Sequence, residues 1–147
     1  HAMHFINGGH DISLVDDTYN ANPDSMKEAV NVISTMPGYR ILILGDMGEV
    51  GNDGEKYHQE LGKYIESKQI DCVFTLGDMS IHVSNNSENA KHFQTIDLLK
   101  DAVLEQIEDQ SRSISILVKG SRFMRMERIV EFILKRIDVS KEQSHAS

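Results

Sequence analysis

Short apolar runs alternate with stretches of helical period along this chain, and that alternation constrains its fold more than any other feature. The runs lie at Ile41–Leu44, Val73–Leu76 and Ile114–Val118, with a weaker one at Lys91–Thr95, and a helical pattern follows each. Unbroken apolar strands of this kind are those buried on both faces. Strands joined through helices pair in parallel by right-handed crossovers, so the sequence predicts an α/β fold: a three-layer, doubly wound, mostly parallel sheet. In such folds ligands sit beyond the carboxyl ends of the strands. The segments after Val15, Leu44, Leu76 and Val118 are therefore where function is sought.

The chain opens differently. Apolar stretches from Met3 to Ile6 and from Ile12 to Val15 flank Asn7-Gly8-Gly9, the signature of a tight β-hairpin. Residues His1-Ala2-Met3 read as a remnant of tag removal or of a cut inside a longer protein, which leaves 4–139 as the domain. Residues 140–147, polar and unpatterned, read as a disordered tail. Met26, Ala29, Val30, Ile33 and Met36 share one helical face, with Asn22 as N-cap, Pro23 in the first turn and Pro37-Gly38 as the stop. Similar faces run through Tyr57–Ile65, through Leu99–Ile107 with Asp97 near the cap, and through Met126–Ile137, and a shorter helix follows Gly77.

Composition narrows the function. A net charge of −8 repels a phosphate backbone, which argues against nucleic-acid binding. Without a long apolar run or a leader pattern the chain reads as cytoplasmic, with no membrane insertion. The lone Cys72 and seven scattered histidines, His58, His82 and His92 among them, offer no metal-ligand spacing.

The strand ends carry the chemistry. Asp16-Asp17-Thr18-Tyr19-Asn20-Ala21-Asn22 supplies two carboxylates, two amides and a phenol where a turn and a cap would need far fewer polar groups. Gly45-Asp46-Met47-Gly48-Glu49-Val50-Gly51 is glycine-rich but lacks the GxxxxGK[ST] pattern of a phosphate loop. Gly77-Asp78 has the pattern of a turn with a cap. Between Arg112 and Arg128 lie five basic residues and one acidic one, a local excess that asks for an anion near Lys119, Ser121 and Arg122. Arg125 and Arg128 read as a solvated helix face pairing with Glu127 or Glu131.

Three segments, DDTYNANPDSM at 16–26, LGDMGEVG at 44–51 and LVKGSRFMRME at 117–127, together resemble the Mur ligase family over residues 5–137. The resemblance implies a Rossmann-like third domain of a three-domain, ATP-dependent amide ligase of peptidoglycan precursor synthesis in bacteria. It would add D-alanyl-D-alanine to UDP-N-acetylmuramoyl-tripeptide. Asp17, Asn20 and Asn22 would then contact ATP, and Tyr19, Asp46, Lys119, Ser121 and Arg122 the incoming dipeptide. The phosphate loop would belong to the enzyme's central domain and the UDP-sugar site to its N-terminal one, both partners of this chain, and the magnesium ligands would lie outside this chain. No catalytic and no metal-binding residue is expected in this chain, and the chain alone is expected to be inactive. Two other classes fit the bare pattern: a receiver-type phosphoacceptor domain, with Asp46 as acceptor, and a stand-alone small-ligand-binding module.

Overall fold

The computed structural model describes residues 1–146, with side chains described through 137. Its elements are strands β1 (Ala2–Asn7), β2 (His10–Asp17), β3 (Tyr39–Leu44), β4 (Cys72–Leu76), β5 (Ala90–Phe93) and β6 (Ile114–Lys119), with helices α1 (Pro23–Ser34), α2 (Gly54–Glu66), α3 (Ile81–Ser84), α4 (Ile96–Asp109) and α5 (Glu127–Ala146). One six-stranded sheet runs in the order β1-β2-β6-β3-β4-β5. All of its pairings are parallel except the β1–β2 hairpin.

The hairpin turns on two residues, Gly8 and Gly9, both at positive φ, the pairing a right-twisted hairpin favours. It begins at Ala2, so Ala2 and Met3, set aside on sequence, pair with Val15 and Leu14. At the other end α5 continues to Ala146, through most of the segment read as an unpatterned tail; Ser147 lies outside the described residues.

Strand β3 illustrates why the runs are unbroken. Ile41 and Ile43 pack into a cluster with Ile114, Ile116, Val118 and the inner faces of α4 and α5. Leu42 and Leu44 join Leu117, Val73 and the inner faces of α1 and α2 on the opposite side. Alternate residues thus feed two cores, and a polar residue at either parity would be buried.

Helix α1 starts where the sequence places it: the Asn22 side chain accepts from Ser25 N–H while Ser25 Oγ accepts from Asn22 N–H, a reciprocal capping box. Helix α4 is capped by Thr95, whose extended backbone lets its hydroxyl accept from Leu98 N–H, and Asp97 lies in the first turn. The short helix after Gly77 is α3.

This topology fixes where a ligand can enter. Connections leaving β2 and β3 cover the α1–α2 face, whereas β6, lying between them, sends its chain to the α4–α5 face. Diverging connections open a crevice at the carboxyl end of β6.

Candidate functional site

A cavity of about 500 Å³ occupies that crevice. Asp16, Asp17, Thr18 and Tyr19 line it from the β2–α1 loop, Arg122 and Glu127 from the β6–α5 connection, and His1 from the rim. The two loops that the sequence singled out therefore share one cavity, 100 residues apart in the chain.

The β2–α1 loop is shaped by its own side chains. Asp16 Oδ1 accepts from both Thr18 N–H (3.2 Å) and the Thr18 hydroxyl (2.6 Å), closing an Asx turn. Asn20 Oδ1 accepts from Ala21 N–H and Asn22 Oδ1 from Ser25 N–H. Both amide oxygens are spent locally, so these residues can offer a ligand their NH₂ groups. Asp17 stands opposite Lys119 in the β2–β6 register, and Lys119 Nζ lies 3.1 Å from Asp17 Oδ2. The same ammonium donates to Asn20 O at 2.9 Å.

Those two bonds change the reading of Lys119. Only 3% exposed, its ammonium is turned to Asp17 and Asn20 and does not line the cavity. It ties the β2–α1 loop to the end of β6. Ser121 is also buried, 2% exposed, packed under Gly48, and its Oγ has no hydrogen-bond partner among the described residues. Arg122 is the expected anion contact that reaches the cavity. Its guanidinium lies 5.2 Å from the centre of the exposed Tyr19 ring, with Nη1 3.5 Å from the Tyr19 hydroxyl.

The local excess of positive charge is thus dispersed. Arg112 sits at the amino end of β6 beside Asp71, 3.9 Å away. Arg128 donates to the carbonyls of Arg125 and Met124, and Arg125 Nε lies 3.9 Å from Glu127 Oε1. Around the cavity Asp16, Asp17 and Glu127 outnumber Arg122. Sequence reading missed Glu127 as a cavity residue. Its signal was its place at the start of the helix that follows β6, where that strand's connection meets the mouth.

Asp46 does not face the cavity. Its carboxylate, 5% exposed for the residue as a whole, accepts from Met79 N–H, Ser80 N–H and the Ser80 hydroxyl. Gly77, at φ +120°, lies so close that a Cβ there would collide with Asp46 Oδ1. A carboxylate enclosed by three donors cannot serve as a phosphoacceptor, which removes the receiver-type alternative. His58 holds the same loop: fully buried, it accepts from Met47 N–H through Nε2 at 3.1 Å, and Nδ1 lies 2.6 Å from Gly54 O. Burial pushes its pKa below the ordinary histidine value, in keeping with a neutral ring that donates from Nδ1.

A smaller crevice of about 240 Å³ opens at the carboxyl ends of β4 and β5, between Gly77, Asp78 and His92. Among the described residues no group of three or more His, Cys, Asp or Glu side chains converges to hold a metal ion, and no helix is long and apolar enough to cross a membrane.

Comparison with known proteins bears on the family and the fold. The family model described as "Mur ligase, glutamate ligase domain" matches residues 3–122. A UDP-N-acetylmuramoyl-tripeptide–D-alanyl-D-alanine ligase of Buchnera aphidicola is 43% identical over 122 residues, 83% of this chain and 27% of that protein. The protein of the same name in Escherichia coli is 42% identical over 121 residues, 80% of this chain and 26% of that protein. The crystal structure of MurF from Acinetobacter baumannii superposes with a TM-score of 0.81 at 30% identity, covering 90% of this chain and 29% of that one. The chain thus spans about a quarter of the length of the relatives it matches.

Proposed function

Since this chain belongs to the Mur ligase family, we propose that it is the domain of an ATP-dependent amide ligase that receives D-alanyl-D-alanine for joining to UDP-N-acetylmuramoyl-tripeptide and closes over ATP. The observation that carries this reading is the single cavity shared by the acidic β2–α1 loop and Arg122.

The dipeptide is a zwitterion, and the cavity has a group for each end. A guanidinium over an exposed ring gains about 0.5–1 kcal/mol from the stacking. A hydrogen bond to a charged group contributes about 1.5–3 kcal/mol. Arg122 can therefore leave Tyr19 for the dipeptide carboxylate at a net gain, gripping it bidentately. Asp17 and its neighbours suit ribose hydroxyls or the ammonium end, and the NH₂ groups of Asn20 and Asn22 suit acceptors on a nucleotide.

Ligation in this family proceeds by phosphorylating the acceptor carboxylate, attack of the dipeptide amine on the acyl phosphate, and loss of phosphate from the tetrahedral intermediate. The side chains here align the amine and exclude water. They include no GxxxxGK[ST] loop and no metal cluster among the described residues, so phosphoryl transfer is assigned to other domains of the ligase.

An ATP-dependent joining assay on the chain alone should give no product, and turnover by the chain alone would overturn the division of labour. In the complete ligase, Arg122→Ala should raise KM for D-alanyl-D-alanine about tenfold or more while leaving KM for ATP unchanged, the loss of one charged clamp. An unchanged KM for the dipeptide would remove Arg122 from the site.

A further inference from the structure

The hydrogen bonds around Asp46 form a bridge between elements that are distant in sequence. Its carboxylate takes three donors from the start of α3: Met79 N–H at 3.1 Å, Ser80 N–H at 2.8 Å and Ser80 Oγ–H at 2.7 Å. Its own carbonyl accepts from Ser121 N–H at 2.8 Å, and the preceding residue, Gly45, donates to Lys119 O at 2.8 Å. One residue is thus clamped through its side chain on the β4–α3 side and through its main chain on the β6–α5 side.

We propose that Asp46 is a positioning residue, which sets the Ser121-Arg122 segment, and so the Arg122 guanidinium, by fixing the carbonyl on which that segment begins. The Ser121 hydroxyl makes no bond among the described residues. The further bonds of this turn, Met124 N–H to Ser121 O and Arg125 N–H to Arg122 O, are internal to it. Among the described residues, the bond from Ser121 N–H to Asp46 O is the one that ties the start of the turn to a neighbouring loop. A peptide plane rotates about its flanking dihedrals, so freeing the carboxylate lets the carbonyl swing and the turn follow. Gly77 is part of the device, since a side chain there would occupy the carboxylate's position.

The dipeptide part of this inference rests on the proposed function; the positional part does not. Three variants separate them: Asp46→Ala, Asp46→Asn, which keeps one acceptor, and Ser115→Ala as a control. Ser115 Oγ donates to Pro37 O at the far end of β6, so its loss lowers stability without touching the mouth. Amide exchange at Ser121, compared at matched global stability, should be roughly tenfold faster in Asp46→Ala than in Ser115→Ala, with partial recovery in Asp46→Asn. D-Alanyl-D-alanine, followed by the Arg122 amide signal, should bind at least about fivefold more weakly to Asp46→Ala and unchanged to Ser115→Ala. Equal Ser121 exchange in the alanine variants overturns the proposal. Should Asp46→Ala not fold, Asp46→Asn against Ser115→Ala decides, because it replaces Oδ2, one of the two oxygens that share Met79 N–H, by a donor that faces that N–H. Failure of the wild-type chain to bind the dipeptide would count against the proposed function, while the exchange comparison would still decide the role of Asp46.

Discussion

Replacing Lys119 by methionine tests whether the mouth of the cavity is held together by the buried ammonium. Methionine keeps the length and most of the volume of the side chain, so the packing cost stays under about 1.5 kcal/mol. What is lost is the 3.1 Å ion pair to Asp17 and the 2.9 Å bond to Asn20 O. Removing one partner of a fully buried pair costs about 3–5 kcal/mol, mostly from the stranded charge. Here the Asp17 side chain is 42% exposed and regains water, and the ammonium's own desolvation disappears with it, so roughly 1–2 kcal/mol remains. For a chain of this length that is a fall in Tm of about 3–6 °C. Urea unfolding followed by far-ultraviolet circular dichroism should show a lower midpoint at unchanged slope. Amide signals of Asp17 and Asn20 should move with it. A variant as stable as the parent, with those signals in place, would refute the reasoning that Lys119 fastens the two loops.

Four further outcomes rest on the same geometry. His58 has its pKa held below the ordinary value by burial, so the folded chain resists a proton that the unfolded chain accepts near pH 6.5; its contribution is complete above that pH and is lost as pH falls toward the folded value. The urea midpoint should therefore drop between pH 7.5 and 5.5, and less so in His58→Gln. Gly77→Ala combines a forbidden φ of +120° with a clash on Asp46 and should cost more than about 2 kcal/mol. Gly9→Ala, at positive φ in open space, should cost only about 1 kcal/mol by the same denaturation assay. Asn22→Ala removes a capping box and should cost about 1 kcal/mol, which Asn22→Ser recovers.

What was legible in the sequence is what local pattern encodes. The parity of Ile41 to Leu44 marked a strand buried on both sides, and Asn22-Pro23 marked the start of α1 to the residue. Of the basic residues grouped by the charge argument only Arg122 lines the cavity, because proximity in sequence is not proximity in a strand. Arg112 is seven residues before Lys119 in a nearly extended segment, about 20 Å away at strand rise, so it adds nothing at the mouth. Lys119 was hidden for a different reason. That its partner is Asp17 depends on the β2–β6 register, and no local pattern reveals which strand inserts between β2 and β3. Asp46 likewise bonds to residues more than 30 positions away, so its motif was visible and its use was not.

We propose that the crevice at the carboxyl ends of β2 and β6 receives the dipeptide. Titrating the isotopically labelled chain with D-alanyl-D-alanine to roughly 10 mM, a range suited to a site divided between domains, tests it most directly. The account predicts saturable amide shifts confined to Asp17, Thr18, Tyr19, Arg122 and Glu127. Shifts clustered instead around Gly77, Asp78 and His92, or no shift anywhere, would contradict it.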